Sequence, residues 1–359
     1  MEDVALSSTR RDAVPTEQGN NDPDFTKRLR GQFFTTTNPF VCEAFVRWMK
    51  TINKNGLPAI LEPFAGSNNI VWMVRELGFQ NEWTSFDIDP PEENMAEDVP
   101  VRQQDTLEKY PAGFKVAITN PPYLAKNSAT CRGMAYAGGD FEDLYQMALS
   151  VMLANTDHVA AIIPETFVKQ GLFHDRLVAV VSLTCQMFDD TCHPVCLALF
   201  SPASDKRQPS DFEIWQGNRL VGTFEKLKKF MQPPPIRLPW KFNDPDGLIG
   251  LKGADGSKKA DVAFVMGSEI PSEAVKGSSR HNTRISLEGL TAKDAKKVIA
   301  KANKLLAELR KHTKDVFLTA HRGLREDGRY RRRLEYSQAR DILTSACIEL
   351  NLFCQQEEK

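Results

Sequence analysis

Residues 116–127 read VAITNPPYLAKN. The apolar run Val116–Thr119 is typical of a buried strand, and it stops at the amide side chain of Asn120. Two prolines and Tyr123 come next. Because proline has no backbone N–H and a fixed φ, the strand must end before them. The stretch therefore predicts a buried strand that ends in a rigid turn carrying an amide and an aromatic ring.

Apolar runs of similar length recur along residues 58–200 and alternate with segments of helical spacing. The predicted strands are Ala59–Leu61, Trp83–Phe86, Val116–Thr119, Val159–Ile163 and Cys196–Phe200, and the predicted helices are Asn69–Leu77 and Phe141–Leu153. Strands separated by helices are typical of a parallel sheet with helices on both faces. The sequence therefore predicts an α/β fold.

Length and composition narrow the class of protein. The chain has 359 residues, enough for two domains, and is 41% hydrophobic and 26% charged. No apolar run approaches the ~20 residues of a membrane span, so no membrane association is predicted. Residues 1–25 are polar and lack the apolar core of a signal peptide, which predicts a disordered tail and a cytoplasmic protein. The seven cysteines have no regular spacing, as expected of reduced thiols.

The composition changes after Phe200, where a loop rich in serine and proline begins. Further patterns predict helices at 291–312 and 334–350 and a Gly/Asp-rich loop at 244–257. Residues 301–340 carry twelve Lys or Arg against five Asp or Glu. We therefore predict two folded parts, residues 26–205 and 206–359, of which the second carries a basic region.

Acidic residues follow three strand ends, at Glu62, Asp87 and Asp105. Ligands of open α/β sheets bind outside the carboxyl ends of the strands, where a glycine such as Gly66 lets the backbone approach closely. The segment lacks G-x-G-x-x-G, so it suits a dinucleotide pyrophosphate poorly. An acid after the second strand commonly accepts hydrogen bonds from ribose hydroxyls. The pattern favours a ligand with an adenosine and an amino acid cation, such as S-adenosylmethionine, over three acids that only cap turns.

A series of short motifs resembles that of S-adenosylmethionine-dependent N6-adenine DNA methyltransferases. The similar segments are GQFFTT at 31–36 (motif X), Glu62–Gly66 (motif I), Asp87 (II), Asp105 (III), Asn120–Tyr123 (IV), Asp143–Tyr145 (V), Ile163–Phe167 (VI) and Pro194–Phe200 (VIII). Motif X ahead of motif I, with the additional domain last, is the order of the γ class. The resemblance covers about residues 25–200. It implies a Rossmann-like class I methyltransferase sheet for residues 26–205 and a target-recognition region in residues 206–359.

The resemblance also implies roles for individual residues. The implied S-adenosylmethionine site comprises Phe33, Phe34, Thr35, Thr36, Glu62, Phe64, Ala65, Gly66, Asp87, Ile88, Asp105, Thr106 and Asn120. The implied catalytic residues are Asn120, Pro121, Pro122 and Tyr123. No metal ligand is among them.

The residue types of this turn suit chemistry on an exocyclic amine. Adenine N6 is a poor nucleophile because its lone pair is delocalised into the ring. The side-chain oxygen of Asn120 and the carbonyl of Pro121 can each accept one N6 hydrogen, which stabilises the charge that develops on the nitrogen. The prolines fix these acceptors in advance, and Tyr123 offers a face on which a base can stack. A base in a duplex must be flipped out to reach such a turn.

Basic residues outside these motifs are candidates for nucleic-acid contacts. They are Lys126, Arg132, Arg280, Arg284, Arg331, Arg332 and Arg333. Such residues neutralise phosphates, although a solvated loop around Lys126 and a solvated basic helix for the arginine run are alternative interpretations.

A zinc site is a further candidate, formed by Cys185, Cys192, His193 and Cys196. Their spacing gives no paired C-x-x-C arms. Buried structural cysteines and a hydrogen-bonded histidine fit this segment better, so no metal is predicted.

These observations together predict a site-specific DNA adenine-N6 methyltransferase. Its expected cofactor is S-adenosylmethionine, and its expected partner is double-stranded DNA, with a cognate restriction endonuclease as a further candidate partner. Two alternatives stay open. One is a methyltransferase of the same fold that acts on RNA adenine or on a protein glutamine. The other is a catalytically silent adaptor that binds the cofactor or nucleic acid.

Overall fold

The computed structural model describes residues 37–183, 187, 194–203, 211–277 and 281–353, without the side chain of Arg322. Several predicted features lie outside these residues: the tail 1–25, motif X with Phe33, Phe34, Thr35 and Thr36, the residues Cys185, Cys192 and His193, and Arg280. They stay predictions.

The described chain is built around one large mixed sheet. Its nine strands are β1 (Ile60–Glu62), β2 (Trp83–Asp87), β3 (Val101–Gln103), β4 (Val116–Thr119), β5 (His158–Pro164), β6 (Leu177–Ser182), β7 (Val195–Phe200), β8 (Glu213–Gln216) and β9 (Arg219–Thr223). Their order across the sheet is β3-β2-β1-β4-β5-β7-β6-β8-β9. Strands β1 to β5 pair in parallel, and β7 pairs antiparallel with β5 and β6. Since β8 is parallel to β6, it shares its direction with β5 as well.

Seven helices accompany the described strands. They are α1 (Glu43–Ile52), α2 (Asn69–Arg75), α3 (Lys126–Cys131), α4 (Leu144–Asn155), α5 (Phe224–Leu227), α6 (Ala292–Thr313) and α7 (Tyr336–Glu349). Among the described residues, no helix is long and apolar enough to cross a membrane.

Alternation along the central strands explains why helices cover both faces of the sheet. Ile60 of β1 belongs to one apolar cluster with side chains of α1 and α2, whereas Leu61 belongs to a second cluster with side chains of α4. In β4, Val116 and Ala117 divide between the two clusters in the same way. Successive side chains of a strand point to opposite faces, so a strand buried on both faces must be apolar throughout. The predicted α/β fold, with a mostly parallel Rossmann-like sheet and helices on both of its faces, is confirmed.

The C-terminal part has a core of its own. A second sheet comprises β10 (Lys241–Phe242), β11 (Ile249–Lys252), β12 (Ala263–Met266) and β13 (Asn282–Ser286), and a two-stranded sheet comprises β14 (Thr319–Leu324) and β15 (Tyr330–Arg333). Buried side chains of α6 and α7 pack with the four-stranded sheet. The helix α6 begins after Thr291, whose side chain accepts a 3.1 Å hydrogen bond from the backbone nitrogen of Asp294.

Most of the predicted elements have the expected type. The five strands and two helices predicted in residues 58–200 are confirmed, as are the helices predicted at 291–312 and 334–350. The loop predicted at 244–257 is wrong in part because it contains β11, whose apolar residues are buried in the second core. The helix considered for the arginine run is wrong because these residues form the hairpin of β14 and β15. The division at residue 205 stays a prediction, while the large sheet itself continues to Thr223.

Candidate active site

Four parallel strands bring predicted site residues to one edge of the sheet. Glu62 is the last residue of β1 and Asp87 the last residue of β2. Asn120 follows the last residue of β4 directly. Carboxyl ends of neighbouring parallel strands lie side by side, so these three residues meet at one edge of the sheet, and we call this place the cleft. Asp105 comes two residues after β3, at the outer end of the same row.

Glu62 is a buried acid whose environment raises the pKa of its carboxyl. The residue is fully buried, and its Oε1 accepts hydrogen bonds from the backbone nitrogen of Phe64 at 3.1 Å and from Oγ1 of Thr119 at 2.5 Å. Burial, and to a smaller extent the charge of Asp87, raises the pKa of the Glu62 carboxyl to about 8. Its Oε2 is buried without a hydrogen-bond partner among the described residues. A buried carboxylate oxygen of this kind is costly unless a donor or a cation meets it.

Asp87 ties the end of β2 to the loop that follows β1. Its Oδ2 accepts a 2.8 Å hydrogen bond from the backbone nitrogen of Gly66, and its Oδ1 accepts a 2.9 Å bond from that of Asp89. Burial raises the pKa of the Asp87 carboxyl. Gly66 has φ of 47°, a conformation that favours glycine. Next to Asp87, the apolar side chain of Ile88 is 52% exposed.

The residues after β3 have a partly structural role. Oδ1 of Asp105 accepts hydrogen bonds from the backbone nitrogens of Leu107 at 2.9 Å and Glu108 at 3.3 Å, so this acid caps a turn. The hydroxyl of Thr106 is buried and donates a 2.8 Å hydrogen bond to the carbonyl of Pro63. Thr106 therefore holds the loop after β3 against the loop after β1.

The turn after β4 is held by a hydrogen-bonded tyrosine. The hydroxyl of Tyr123 lies 2.5 Å from Oδ1 of Asn120 and 2.6 Å from the carbonyl oxygen of Ile162 in β5. A phenol has one proton, and a carbonyl can only accept. A 180° rotation of the Asn120 amide would satisfy both contacts, because its nitrogen would then donate to the phenolic oxygen while the phenol donates to Ile162. In that orientation the amide oxygen of Asn120 faces away from Tyr123.

The ring of Tyr123 packs against an aromatic side chain of α4. It is half-buried and meets the ring of Tyr145 edge-on, with 6.3 Å between the ring centroids. Burial raises the pKa of the Tyr123 phenol well above its usual value. Oδ1 of Asp143 accepts a 3.1 Å hydrogen bond from the backbone nitrogen of Leu124, which fixes the start of α4 against this turn. Motif V therefore supports the Asn120–Tyr123 turn through side-chain packing and one hydrogen bond.

The predicted cofactor residues within the described part of the chain fit S-adenosylmethionine. Glu62, Phe64, Ala65, Gly66, Asp87, Ile88, Asp105, Thr106 and Asn120 all lie at or beside the same sheet edge. The unpartnered Oε2 of Glu62 suits a cationic amine, and the exposed side chain of Ile88 suits an apolar ring face. Among the described residues, no cluster of His, Cys, Asp or Glu has the composition of a metal site.

The predicted nucleic-acid residues are spread over three places. Lys126 and Arg132 lie at the two ends of α3, directly after the Asn120–Tyr123 turn, and Arg132 is exposed. Arg284 instead donates to backbone carbonyls, through Nε to Ile270 at 2.8 Å and through Nη1 to Pro245 at 2.5 Å. These bonds occupy its guanidinium within the second sheet.

The arginine run contains a buried ion pair that sequence patterns did not indicate. Nη1 of Arg332 lies 2.6 Å from Oε2 of Glu165, and Nη2 lies 3.2 Å from Oε1, with both side chains nearly buried. Glu165 follows β5, so this pair fastens the β14–β15 hairpin to the large sheet. Nε of Arg331 donates a 2.6 Å hydrogen bond to the carbonyl of Asp255. Arg333 is half-buried. The pair with Glu165 buries the Arg332 guanidinium, which leaves Arg332 poorly placed for the predicted contact with DNA.

Two residues of the cleft were missed by sequence reasoning. Thr119 ends an apolar strand and donates to Glu62. Ser85 of β2 is fully buried, and its hydroxyl has no partner among the residues described. The signal for Thr119 is a hydroxyl residue at the last position of an otherwise apolar strand. Ser85 follows Thr84 in the middle of β2 and carries no such signal.

Comparisons with known proteins give distant likenesses only. No family model and no curated protein matches the chain. A Listeria monocytogenes protein described as a class I S-adenosylmethionine-dependent methyltransferase is 13% identical, with a TM-score of 0.37, over 51% of this chain and 65% of its own. The type I restriction-modification methyltransferase subunit of Streptococcus thermophilus is 16% identical, with a TM-score of 0.35, over 52% and 47%. The M protein of the type I restriction enzyme EcoKI is 12% identical, with a TM-score of 0.32, over 82% and 66%.

The chain spans less than two thirds of the length of each of these three proteins. Their TM-scores are below 0.5, so the likeness carries no argument about substrate or activity.

Proposed function

We propose that the protein is an S-adenosylmethionine-dependent methyltransferase that methylates N6 of a flipped-out adenine in double-stranded DNA. The observation that carries the proposal is the position of the Asn120–Tyr123 turn beside Glu62 and Asp87 at one sheet edge. An acceptor-rich turn next to acids that suit an adenosine and an amino acid cation is what methyl transfer to an exocyclic amine requires. The proposed location is the cytoplasm, and a restriction endonuclease is a proposed partner.

The cofactor would be held by the residues at the ends of β1, β2 and β3. Asp87 would accept hydrogen bonds from ribose hydroxyls, while Ile88 would pack on the adenine ring and Asp105 would lie near the exocyclic amine of that ring. Glu62 would face the amino acid cation with its unpartnered Oε2. Such a cation would favour the ionised carboxylate and lower the pKa of Glu62 from about 8. When bound, S-adenosylmethionine supplies a methyl group already activated by its sulfonium.

The target base would be held by the turn after β4. The amide oxygen of Asn120 and the carbonyl of Pro121 would accept the two N6 hydrogens, which orients the nitrogen and stabilises its developing positive charge. The side chain of Pro122 would limit movement of the turn. Tyr123 would hold the Asn120 amide through its hydroxyl and present its half-buried ring to the base.

A labelled methyl-transfer assay tests this proposal. Purified protein would be incubated with S-adenosylmethionine that carries a tritiated methyl group. Separate reactions would contain duplex DNA, duplex RNA or a protein extract as the substrate. We expect label in DNA, and N6-methyladenine after digestion to nucleosides. Label in RNA or protein alone would reject the DNA substrate but keep the methyltransferase. Calorimetric cofactor binding without transfer to any of the three would instead support a silent adaptor.

A further inference from the structure

A cavity of about 310 Å³ lies between the C-terminal end of α6, the β14–β15 hairpin and the carboxyl end of β8. Six of its lining residues are cationic and one is anionic: Arg310, Lys311, Lys314, Arg325, Arg329, Arg332 and Asp315. We call this place the cation cavity. The cleft that holds Asn120 does not contribute to it.

Three of the cavity's cations are held by carboxylates. Arg310 pairs with Asp255 and Asp315, and Arg325 pairs with Asp255 and Asp327. Arg332 pairs with Glu165. These arginines form a rigid wall in which the charge is largely neutralised.

The other three cations have no hydrogen-bonded carboxylate among the residues that the structure describes. Lys311 and Arg329 are exposed and Lys314 is half-buried. Arg329 lies within electrostatic reach of Asp327, but both oxygens of that carboxylate already accept from Arg325. Lys311, Lys314 and Arg329 therefore leave the cavity with positive charge that no described acid pairs with. A phosphate group is the ligand that such a polar, cationic site favours.

The cavity lies at the same sheet edge as the proposed catalytic turn. One row of paired residues crosses the sheet through Ile163, Cys196, Ser182 and Gln216. Ala161 of β5 is the partner of Thr119 in β4. Ile163 comes two residues after Ala161 and Pro121 two residues after Thr119, so the row through Ile163 is level with Pro121. Gln216 is a lining residue of the cavity. Four strand intervals separate β4 from β8, which is a distance of about 19 Å.

This distance corresponds to the rise of about five to six base pairs of duplex, at about 3.4 Å per base pair. A duplex with its target base in the Asn120 cleft would therefore pass its flanking backbone near the cavity if it ran along the sheet edge. We propose that Lys311, Lys314 and Arg329 bind the phosphodiester backbone of DNA that flanks the target base. The proposal rests on the proposed function and adds the place where the flanking backbone is held.

The test is the salt dependence of DNA binding. A variant with Lys311→Gln, Lys314→Gln and Arg329→Gln would be titrated against a fluorescein-labelled 30-base-pair duplex by anisotropy at several salt concentrations. The slope of log K against log salt is negative, and each lost phosphate contact reduces its magnitude by about 0.9. We expect the slope to become shallower by about 2 to 3, with unchanged calorimetric affinity for S-adenosylmethionine. The same affinity in both proteins shows that the variant is folded.

A matched control removes three positive charges elsewhere on the same helix. Lys293, Lys296 and Lys297 are exposed at the start of α6, and Lys297 lies about 21 Å along the helix axis from Lys311. The triple Gln variant of these lysines should keep the wild-type slope. An equal loss in both variants, or no loss in the cavity variant, would overturn the cation cavity as a phosphate site while leaving the proposed function intact.

Failure of the proposed function gives a different result. If wild-type protein bound duplex RNA but not DNA, and the cavity variant lost the RNA slope, the phosphate site would stand and the DNA substrate would fall. If wild-type protein bound neither nucleic acid, both proposals would be overturned.

Discussion

The side chains of Asn120 and Tyr123 are joined by a 2.5 Å hydrogen bond within the turn that follows β4. The same hydroxyl also reaches the carbonyl oxygen of Ile162 at 2.6 Å. The tyrosine thus connects the proposed acceptor of the target amine to the neighbouring strand. Its hydroxyl has a positioning role that its ring alone does not provide.

Tyr123→Phe should therefore slow methyl transfer although it keeps the ring. A hydrogen bond of this kind contributes about 1 kcal/mol, so the single-turnover rate on duplex DNA should fall about fivefold. Affinity for S-adenosylmethionine should not change, since the hydroxyl bonds to Asn120 and Ile162 and to no residue at the ends of β1, β2 or β3. Tyr123→Ala should lose more, because it also removes the surface on which the base stacks. A Phe variant as fast as wild type would show that the hydroxyl does not orient Asn120.

The protonation of Glu62 should make stability depend on pH. An unperturbed glutamate titrates at 4.5, whereas burial raises the pKa of folded Glu62 to about 8. Between these two values the folded state holds a proton that the unfolded state has lost, so the free energy of unfolding falls as pH rises through this window. Glu62→Gln is neutral throughout and should remove this part of the pH dependence, on the order of a few kcal/mol.

Urea unfolding at pH 5.5 and pH 8.5 measures this difference. The wild-type protein should lose more stability than Glu62→Gln on going to pH 8.5, because other titrating groups are common to both proteins. Saturating S-adenosylmethionine should reduce the wild-type loss if its ammonium group meets the carboxylate. Identical pH dependence in both proteins would show that Glu62 is ionised in the folded state at neutral pH.

The buried pair of Arg332 and Glu165 should be a major contributor to the docking of the C-terminal hairpin. Arg332→Met leaves a buried carboxylate without its cation, which typically costs about 3–5 kcal/mol. The exposed pair of Arg75 and Asp98 provides a matched control, since Arg75→Met should cost about 1 kcal/mol or less. Urea unfolding of both variants gives the comparison. Equal, small losses would mean that the Arg332 pair is not buried in solution.

Sequence patterns predicted the central sheet because its strands are apolar on both faces and end in polar residues. Ile60, Leu61 and Glu62 show this in three positions: two faces of the core and one site residue. Sequence patterns could not predict the ion pair of Arg332 and Glu165, since the two residues are 167 positions apart in the sequence. An arginine run has the same pattern whether it is solvated or buried, and only the tertiary structure distinguishes these cases.

The edge strands of the large sheet were not predicted from the sequence, for a related reason. Strand β3 is partly exposed and has little apolar character, and β9 has no buried residue. Such strands are formed by pairing with a neighbour, which depends on contacts that are distant in sequence. The second sheet similarly places β11 inside a segment whose glycine content suggests a loop.

The most direct test of the account is the modification state of DNA in cells that express the protein. Wild-type protein should produce N6-methyladenine at one recurring sequence. Asn120→Ala should remove it, with a fall in single-turnover rate on the order of 10²–10³ or more. The purified variant should still bind S-adenosylmethionine, because the residues proposed to hold it at the ends of β1, β2 and β3 are unchanged. The assignment would be contradicted if cells that express folded wild-type protein contained no N6-methyladenine, or if Asn120→Ala modified their DNA as fully as wild type does.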